Sequence, residues 1–154
     1  MEIKLKEEDK KLLNLIQEED ACIPRVTKIA HELGLPTSTV NTKIEKFKKL
    51  GVIKGFSAIL DPEKVGRGLV AFNLSRAALH PKFKIETIGE KLAAISEVEE
   101  VFFIIGEWDY ITKLRVADKE EYTKVIPQLA RLITHGKGIM ATKCFKETHK
   151  ILVK

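Results

Sequence analysis

Cysteine is nearly missing from this chain: Cys22 and Cys144 are the only two in 154 residues. They lie far apart, with no second cysteine beside either. A disulfide framework and a paired-cysteine zinc site are therefore not expected, and a reduced cytosolic thiol is the default. Long apolar runs are missing too, since none approaches the roughly 18 residues that a membrane span requires. The opening MEIKLKEEDKK has no apolar stretch and no cleavage site, so no secretory signal is expected. Internal repeats and low-complexity tracts are absent. So are a phosphate loop, a Ser-His-Asp pattern and paired metal ligands. The four histidines, His31, His80, His135 and His149, are scattered. The expectation is a cytoplasmic protein that is not an enzyme and carries no metal or cofactor.

What is present is a normal folded composition, 44% hydrophobic, in a length that suits one domain or two small ones. The net charge of +5 is unevenly spread. Residues 1–20 hold four lysines against seven acids, whereas residues 21–60 hold seven Lys/Arg against two Glu. The positive excess thus concentrates in a short central stretch, as an electrostatic footprint on phosphate would require.

That stretch is also the most patterned. A first helix is expected from about Glu7 to Glu18, with Leu12, Leu15 and Ile16 in one stripe and Leu13 beside it. Glu7, Glu8 and Asp9 suit its positive end. Pro24 opens a second helix with Val26, Ile29, Ala30 and Leu33 inward. Gly34 fits a left-handed C-cap, and Leu35 plugs the turn. The third helix carries Val40, Ile44, Phe47 and Leu50 on one stripe, capped by Thr37 or Ser38 and ended by Gly51. Two helices joined by so tight a turn form a helix-turn-helix, whose second helix fits a major groove. Val52 to Leu60 alternates as a strand, and Asp61-Pro62 followed by Gly66 marks a boundary.

Beyond Gly66 the texture changes. Val70, Phe72 and Leu74 alternate as a strand, and residues 83–96 read as a helix with Ile85, Ile88, Leu92 and Ile95 inward. Residues 101–105 form an apolar run of the kind found in a strand buried on both faces. Tyr110 to Val116 alternates again. Tyr122, Val125, Ile126, Leu129 and Ile133 mark another helix, which Pro127 should kink or shorten. Residues 139–153 supply the last strand. The order βαββαβ is ferredoxin-like, so the fold class is α+β. The domain plan is 1–52 for the helix-turn-helix, 53–66 for a strand linker and 67–154 for the ferredoxin-like domain. Alternation puts Leu69 and Ala71, and Phe102 and Ile104, on faces opposite their neighbours. Both sheet faces are thus apolar, which calls for a homodimer through the sheet.

Two motifs now carry a resemblance. IAHELGLPTSTVNTKIEKFKKLGVIKGFSAILDPEKVG, residues 29–66, resembles the helix-turn-helix and linker of the Lrp/AsnC (leucine-responsive, feast/famine) regulators. GEWDYITKLRVAD, residues 106–118, resembles the Gly-x-aromatic-Asp turn of that family's effector domain. The resemblance implies a winged helix-turn-helix domain followed by a ferredoxin-like (RAM-type) domain. It also implies dimers assembling into octamers or open arrays, with an amino-acid effector between dimers. Pro36 stands where the family usually has a serine or other N-cap. Cys144 stands where a threonine is common, within GIMATKCF, residues 138–145, a region that borders the effector pocket in relatives.

The expected chemistry follows. Thr37, Ser38, Thr39, Asn41, Thr42 and Lys43 are the candidate base-reading residues, with Asn41 suited to adenine and Lys43 to a guanine or a phosphate. Lys46, Lys49, Lys28 and Arg25 are candidates for phosphate. Two linked copies would read a semi-palindromic operator with half-sites about one helical turn, or a multiple, apart. For the effector the candidates are Gly106, Trp108, Asp109, Tyr110, Met140 and Thr142, Asp109 holding the ammonium group while backbone amides hold the carboxylate. The alternatives are a sirohaem-decarboxylase-like enzyme on the same fold and a low-specificity architectural DNA-binding protein.

Overall fold

A computed structural model describes residues 6–18, 24–77 and 84–153. It divides into two units, Met1–Ile59 with Lys146–Lys154, and Leu60–Phe145.

The first unit is built on three helices: α1 (Glu7–Glu18), α2 (Val26–Leu33) and α3 (Thr37–Lys49). Each contributes one apolar stripe to a shared core. Leu12 and Leu13 from α1, Ile29 and Ala30 from α2, and Val40, Ile44 and Phe47 from α3 are all buried there. The Leu, Ile, Val and Phe side chains stabilise by about 1.5–3 kcal/mol each when fully buried. Gly34 adopts φ 64°, and the Leu35 N–H reaches the Ala30 carbonyl at 2.9 Å, closing a Schellman-type turn. Leu35 packs on the core as the turn's plug. The expected Thr37 or Ser38 cap is corrected: Pro36 holds the N-cap position of α3, and no side chain caps it.

The second unit runs β1 (Leu69–Ala77), α4 (Ile85–Ala93), β2 (Val98–Phe103), β3 (Tyr110–Val116), α5 (Lys119–Ala130) and β4 (Ile133–Met140). Its antiparallel sheet has the order β2-β3-β1-β4. In the β1–β3 register Ser75 faces Tyr110 and Ala71 faces Leu114. That face forms the core with Ile88 and Leu92 of α4 and Tyr122, Val125 and Leu129 of α5. Gly138 lets α5 sit close, because a Cβ there would stand 2.1 Å from the Tyr122 hydroxyl. The opposite face presents Phe72, Leu74, Phe102, Ile111 and Ile139 beside Lys113, which bonds Glu99 at 2.9 Å and Glu100 at 3.4 Å.

Several expectations need correction. Residues 52–60 form no strand, for lack of a hydrogen-bonding neighbour among the described residues; Ile59 is 92% exposed. β2 is an edge strand rather than a doubly buried one, and Phe102 and Phe103 are both about half exposed. Ile133 opens β4 instead of closing α5, which ends at Ala130, three residues past Pro127. β4 stops at Met140: past it only the Ala141 N–H still reaches β1, at the Val70 carbonyl (2.9 Å), and residues 142–153 are not paired in the sheet. Phe83 lies outside the described residues.

The chain's last residues return instead to the first unit. Asn14 and Gln17 stand one turn apart on α1, and each amide grips one residue of the extended tail. Asn14 donates to the Val153 carbonyl at 3.1 Å and accepts the Val153 N–H at 3.0 Å. Gln17 donates to the Ile151 carbonyl at 2.9 Å and accepts the Ile151 N–H at 2.6 Å. Two side-chain amides thus do the work of a neighbouring strand, and Val153 packs on the helical core. Replacing Asn14 with Ala should destabilise the first unit by about 1–2 kcal/mol, the loss of two part-buried hydrogen bonds. Urea unfolding followed by circular dichroism measures this, and Gln17→Ala, at an exposed clamp, should lose less.

Candidate DNA interface and effector pocket

Burial of Val40, Ile44 and Phe47 fixes the rotation of α3. At about 100° per residue, the direction opposite that stripe belongs to Ser38, Thr42, Glu45 and Lys49, with Asn41 and Lys46 at its flanks. A shallow groove runs along this side, lined by Asn41, Thr42, Glu45, Lys46, Lys49 and Leu50. Ser38, Asn41, Thr42, Lys46 and Lys49 are exposed, as is Thr37 in the first turn, while Thr39 is half-buried at the side. The Thr42 hydroxyl donates back to the Ser38 carbonyl at 2.9 Å, which fixes its rotamer. Arg25, at the N-cap of α2, and Lys28 one turn inside it are exposed as well. Backbone N–H groups at such an end, together with nearby cations, suit a phosphate.

Lys43 is the exception among the expected readers. It sits at the inner edge of α3, where its ammonium bonds Asp9 at 2.7 Å and lies 3.5 Å from Glu8. Its ammonium is thus engaged by the acids of α1 rather than standing on the outer stripe. The Asp9 hydrogen bond holds the lysine above its ordinary pKa, against the pull of burial. For Asp9, burial pushes upward, but the Lys43 hydrogen bond and the Lys6 backbone amide outweigh it and leave the carboxyl below its usual range. Glu45 is the residue that sequence reading passed over. The same period that found Ser38 and Thr42 would have found it, had an acid been considered on a basic face.

In the second unit an open pocket of about 470 Å³ is lined by Arg76, Ala77, Gly106, Glu107, Asp109 and Thr134. Gly106, at φ 155°, carries the chain through the turn between β2 and β3. Asp109 is locked in place: its N–H donates to the Ser75 carbonyl at 3.0 Å, and its Oδ2 accepts the Ala77 N–H at 2.8 Å. Trp108 stacks on His135 with ring centroids 5.7 Å apart, and the Arg76 guanidinium lies 5.9 Å from the indole centre. Gly106, Trp108 and Asp109 therefore gather at one end of the sheet.

The remaining effector candidates lie elsewhere. Tyr110 is a core residue, 1% exposed, whose hydroxyl donates to the Ile85 carbonyl, so it does not line the pocket. Met140 pairs with Ala71, six positions along β1 from Ala77, roughly 20 Å at strand rise. Thr142 follows it and is exposed. Within one protomer these two do not meet Gly106. The histidines stay apart: His31 on α2, His135 against Trp108, and His149 in the tail, with His80 outside the described residues. No group of metal-ligating side chains gathers among the described residues, and no helix there is long and apolar enough to cross a membrane.

The Lys43–Asp9 pair makes a pH-dependent prediction. Asp9 is depressed in the fold, so its contribution is present above the unfolded value of about 3.9 and is lost as pH falls through the folded one. Lys43 is raised, so its contribution is full below about 10.4 and is lost as pH rises through the folded value. Lys43→Met should lower stability at pH 7 by roughly 1 kcal/mol. Urea titrations should show the gap to the parent protein closing as pH falls through the Asp9 value.

Comparison with known proteins places these two units. The Lrp/AsnC ligand binding domain profile matches residues 74–148, and a winged helix-turn-helix DNA-binding profile matches residues 6–54. The chain is 30% identical over 157 aligned residues to the HTH-type transcriptional regulator FL11 of Pyrococcus horikoshii, covering 100% of both. It is also 30% identical to the DNA-binding transcriptional activator DecR of Escherichia coli K12, over 81% of each. The crystal structure of an AsnC family regulator from Agrobacterium tumefaciens superposes with a TM-score of 0.86 at 27% identity, covering 96% of each chain. The NMB0573/L-Met complex from Neisseria meningitidis shares the fold with a TM-score of 0.84 at 21% identity over 96% of each. With both units matched in order along its whole length, this chain belongs to the Lrp/AsnC family of DNA-binding transcriptional regulators.

Proposed function

We propose that this regulator binds a semi-palindromic operator as a homodimer, reads it with the outer face of α3, and answers to an amino acid held beside the Gly106 turn. The observation that carries the reading is the stripe of small polar groups on α3, Ser38, Asn41 and Thr42, continued by Lys46 and Lys49. Small side chains let the helix backbone approach the base edges, while the lysines meet phosphate. Thr37 and Thr39 border the stripe, and Arg25 with Lys28 would hold phosphate at the start of α2.

The open sheet face supports the dimer. Phe72, Leu74, Phe102, Ile111 and Ile139 form an apolar strip that a second copy would cover, and one two-fold axis would then present two α3 helices to two half-sites. Octamers or other higher assemblies are the family's habit. They would also give Met140 and Thr142 a route to the Gly106 turn of another subunit.

The pocket's chemistry suits a zwitterion. Arg76 offers a cation for a carboxylate, and Glu107 and Asp109 offer acceptors for an ammonium group. The relative whose structure is a complex with L-Met carries an amino acid of this kind.

Two measurements test the proposal. Gel-shift titration across salt should give Lys46→Ala and Lys49→Ala each a log–log salt slope shallower by about 0.9, one phosphate contact apiece. Equal slopes for parent and variants would remove these lysines from the interface. Isothermal titration against the twenty amino acids should give heat with at least one and none with an Asp109→Ala variant. Silence with all twenty would end the effector reading and leave the DNA reading intact.

A further inference from the structure

We infer that Glu45 is a specificity-determining residue that accepts a hydrogen bond from the exocyclic amine of a cytosine in each half-site. The inference rests on α3 lying in the major groove with its outer stripe toward the bases.

Glu45 occupies the middle of that stripe. It lies seven residues after Ser38 and three after Thr42, on the side opposite Val40, Ile44 and Phe47, and it lines the groove with Asn41, Lys46 and Lys49. It is the only acid on a helix that carries four lysines, Lys43, Lys46, Lys48 and Lys49. Its ion pair with Lys48, 2.8 Å long, joins side chains that are 60% and 42% exposed. An exposed pair of this kind is worth little, so the carboxylate is free to leave it for a better donor.

A carboxylate entering the groove meets phosphate repulsion on both sides. Only a hydrogen-bond donor on a base edge offsets that repulsion, and the major groove has two: the N4 amine of cytosine and the N6 amine of adenine. Beside adenine N6 stands N7, an acceptor, which repels a carboxylate. Beside cytosine N4 stands a C–H group, which does not. A carboxylate, having only acceptors, therefore selects cytosine. Where no cytosine is present the carboxylate keeps only its exposed Lys48 pair, which offsets little of the phosphate repulsion, so Glu45 also weakens binding to wrong sequences. The lysines that flank it attract any duplex; Glu45 makes that attraction conditional.

Binding-site selection from a random duplex library, using the full chain, tests the assignment. The parent protein should enrich a two-fold motif with a cytosine at a matching position in each half. Glu45→Ala should level the preference at that position, cutting discrimination on the order of ten-fold, and should bind random competitor more tightly than the parent. Glu45→Gln should turn the preference toward adenine, since an amide both donates and accepts. Glu45 is exposed, so both variants should keep the parent's circular dichroism spectrum and melting profile. Selection of the parent's motif by both variants, with the cytosine weight unchanged, overturns the inference but leaves sequence-specific binding standing. A loss confined to an adenine position overturns the cytosine assignment. A parent that enriches no motif overturns both readings together.

Discussion

Everything the first unit presents to a duplex depends on how α3 is turned about its own axis, and three buried side chains decide that. Val40, Ile44 and Phe47 are held against α1 and α2. A helix rotated by one residue, about 100°, would have to expose part of this set and bury Asn41 or Lys48. Unpaired polar burial is expensive, so the alternative rotations are closed. Ser38, Thr42, Glu45 and Lys49 face outward as a consequence of what Val40, Ile44 and Phe47 do inward. The surface needs little stabilisation of its own, because the core supplies the aim.

Charge reinforces this arrangement by being divided between two tasks. The acids that make α1 negative are not merely a solvated face: Asp9 and Glu8 draw Lys43 inward and tie the side of α3 to the start of α1. That withdraws one lysine from the outer surface and leaves Lys46 and Lys49 there. Net charge along the sequence could not separate these roles, since a paired and an unpaired lysine count alike. The tail shows the same economy with amides. The chain has only two Gln and three Asn, and Asn14 and Gln17 are spent on gripping residues 151 and 153.

Periodicity made most of the helical unit legible. The bounds of α1, the inward face of α2, the Val40, Ile44 and Phe47 stripe of α3, and the left-handed Gly34 turn all follow from spacing within ten residues, and the structure agrees; Leu50, expected on the same stripe, is instead exposed beside the outer groove, because the helix ends before it. β1 and β3 were legible as strands for the same reason, through their alternation. What escaped depends on distant partners. Residues 101–105 look like an interior strand in composition, but an edge position follows from pairing, which spacing does not encode. Residues 52–60 alternate, yet alternation makes a strand only beside another strand. The tail's apolar residues read as a strand too; their neighbours are two amides about 135 positions earlier in the chain. Tyr110 was drawn to the effector turn by adjacency to Asp109, although strand alternation sends neighbouring side chains to opposite faces.

That last point explains why the two functional surfaces differ in completeness. A recognition helix is finished by its own core: once three residues are buried, the outer stripe is defined within a single protomer. The open pocket at the end of the sheet has no such closure. The Gly106 turn supplies Asp109, braced by the Ser75 carbonyl and the Ala77 N–H, and a stacked Arg76, Trp108 and His135 stand beside it. Met140 and Thr142 lie at the other end of the same strands. Antiparallel pairing holds these ends apart along the length of β1. Joining them requires a second chain, so a ligand that needs both ends would bind only where protomers meet. Its occupancy would then depend on assembly, and assembly in turn on occupancy, as linkage between ligand and oligomer demands.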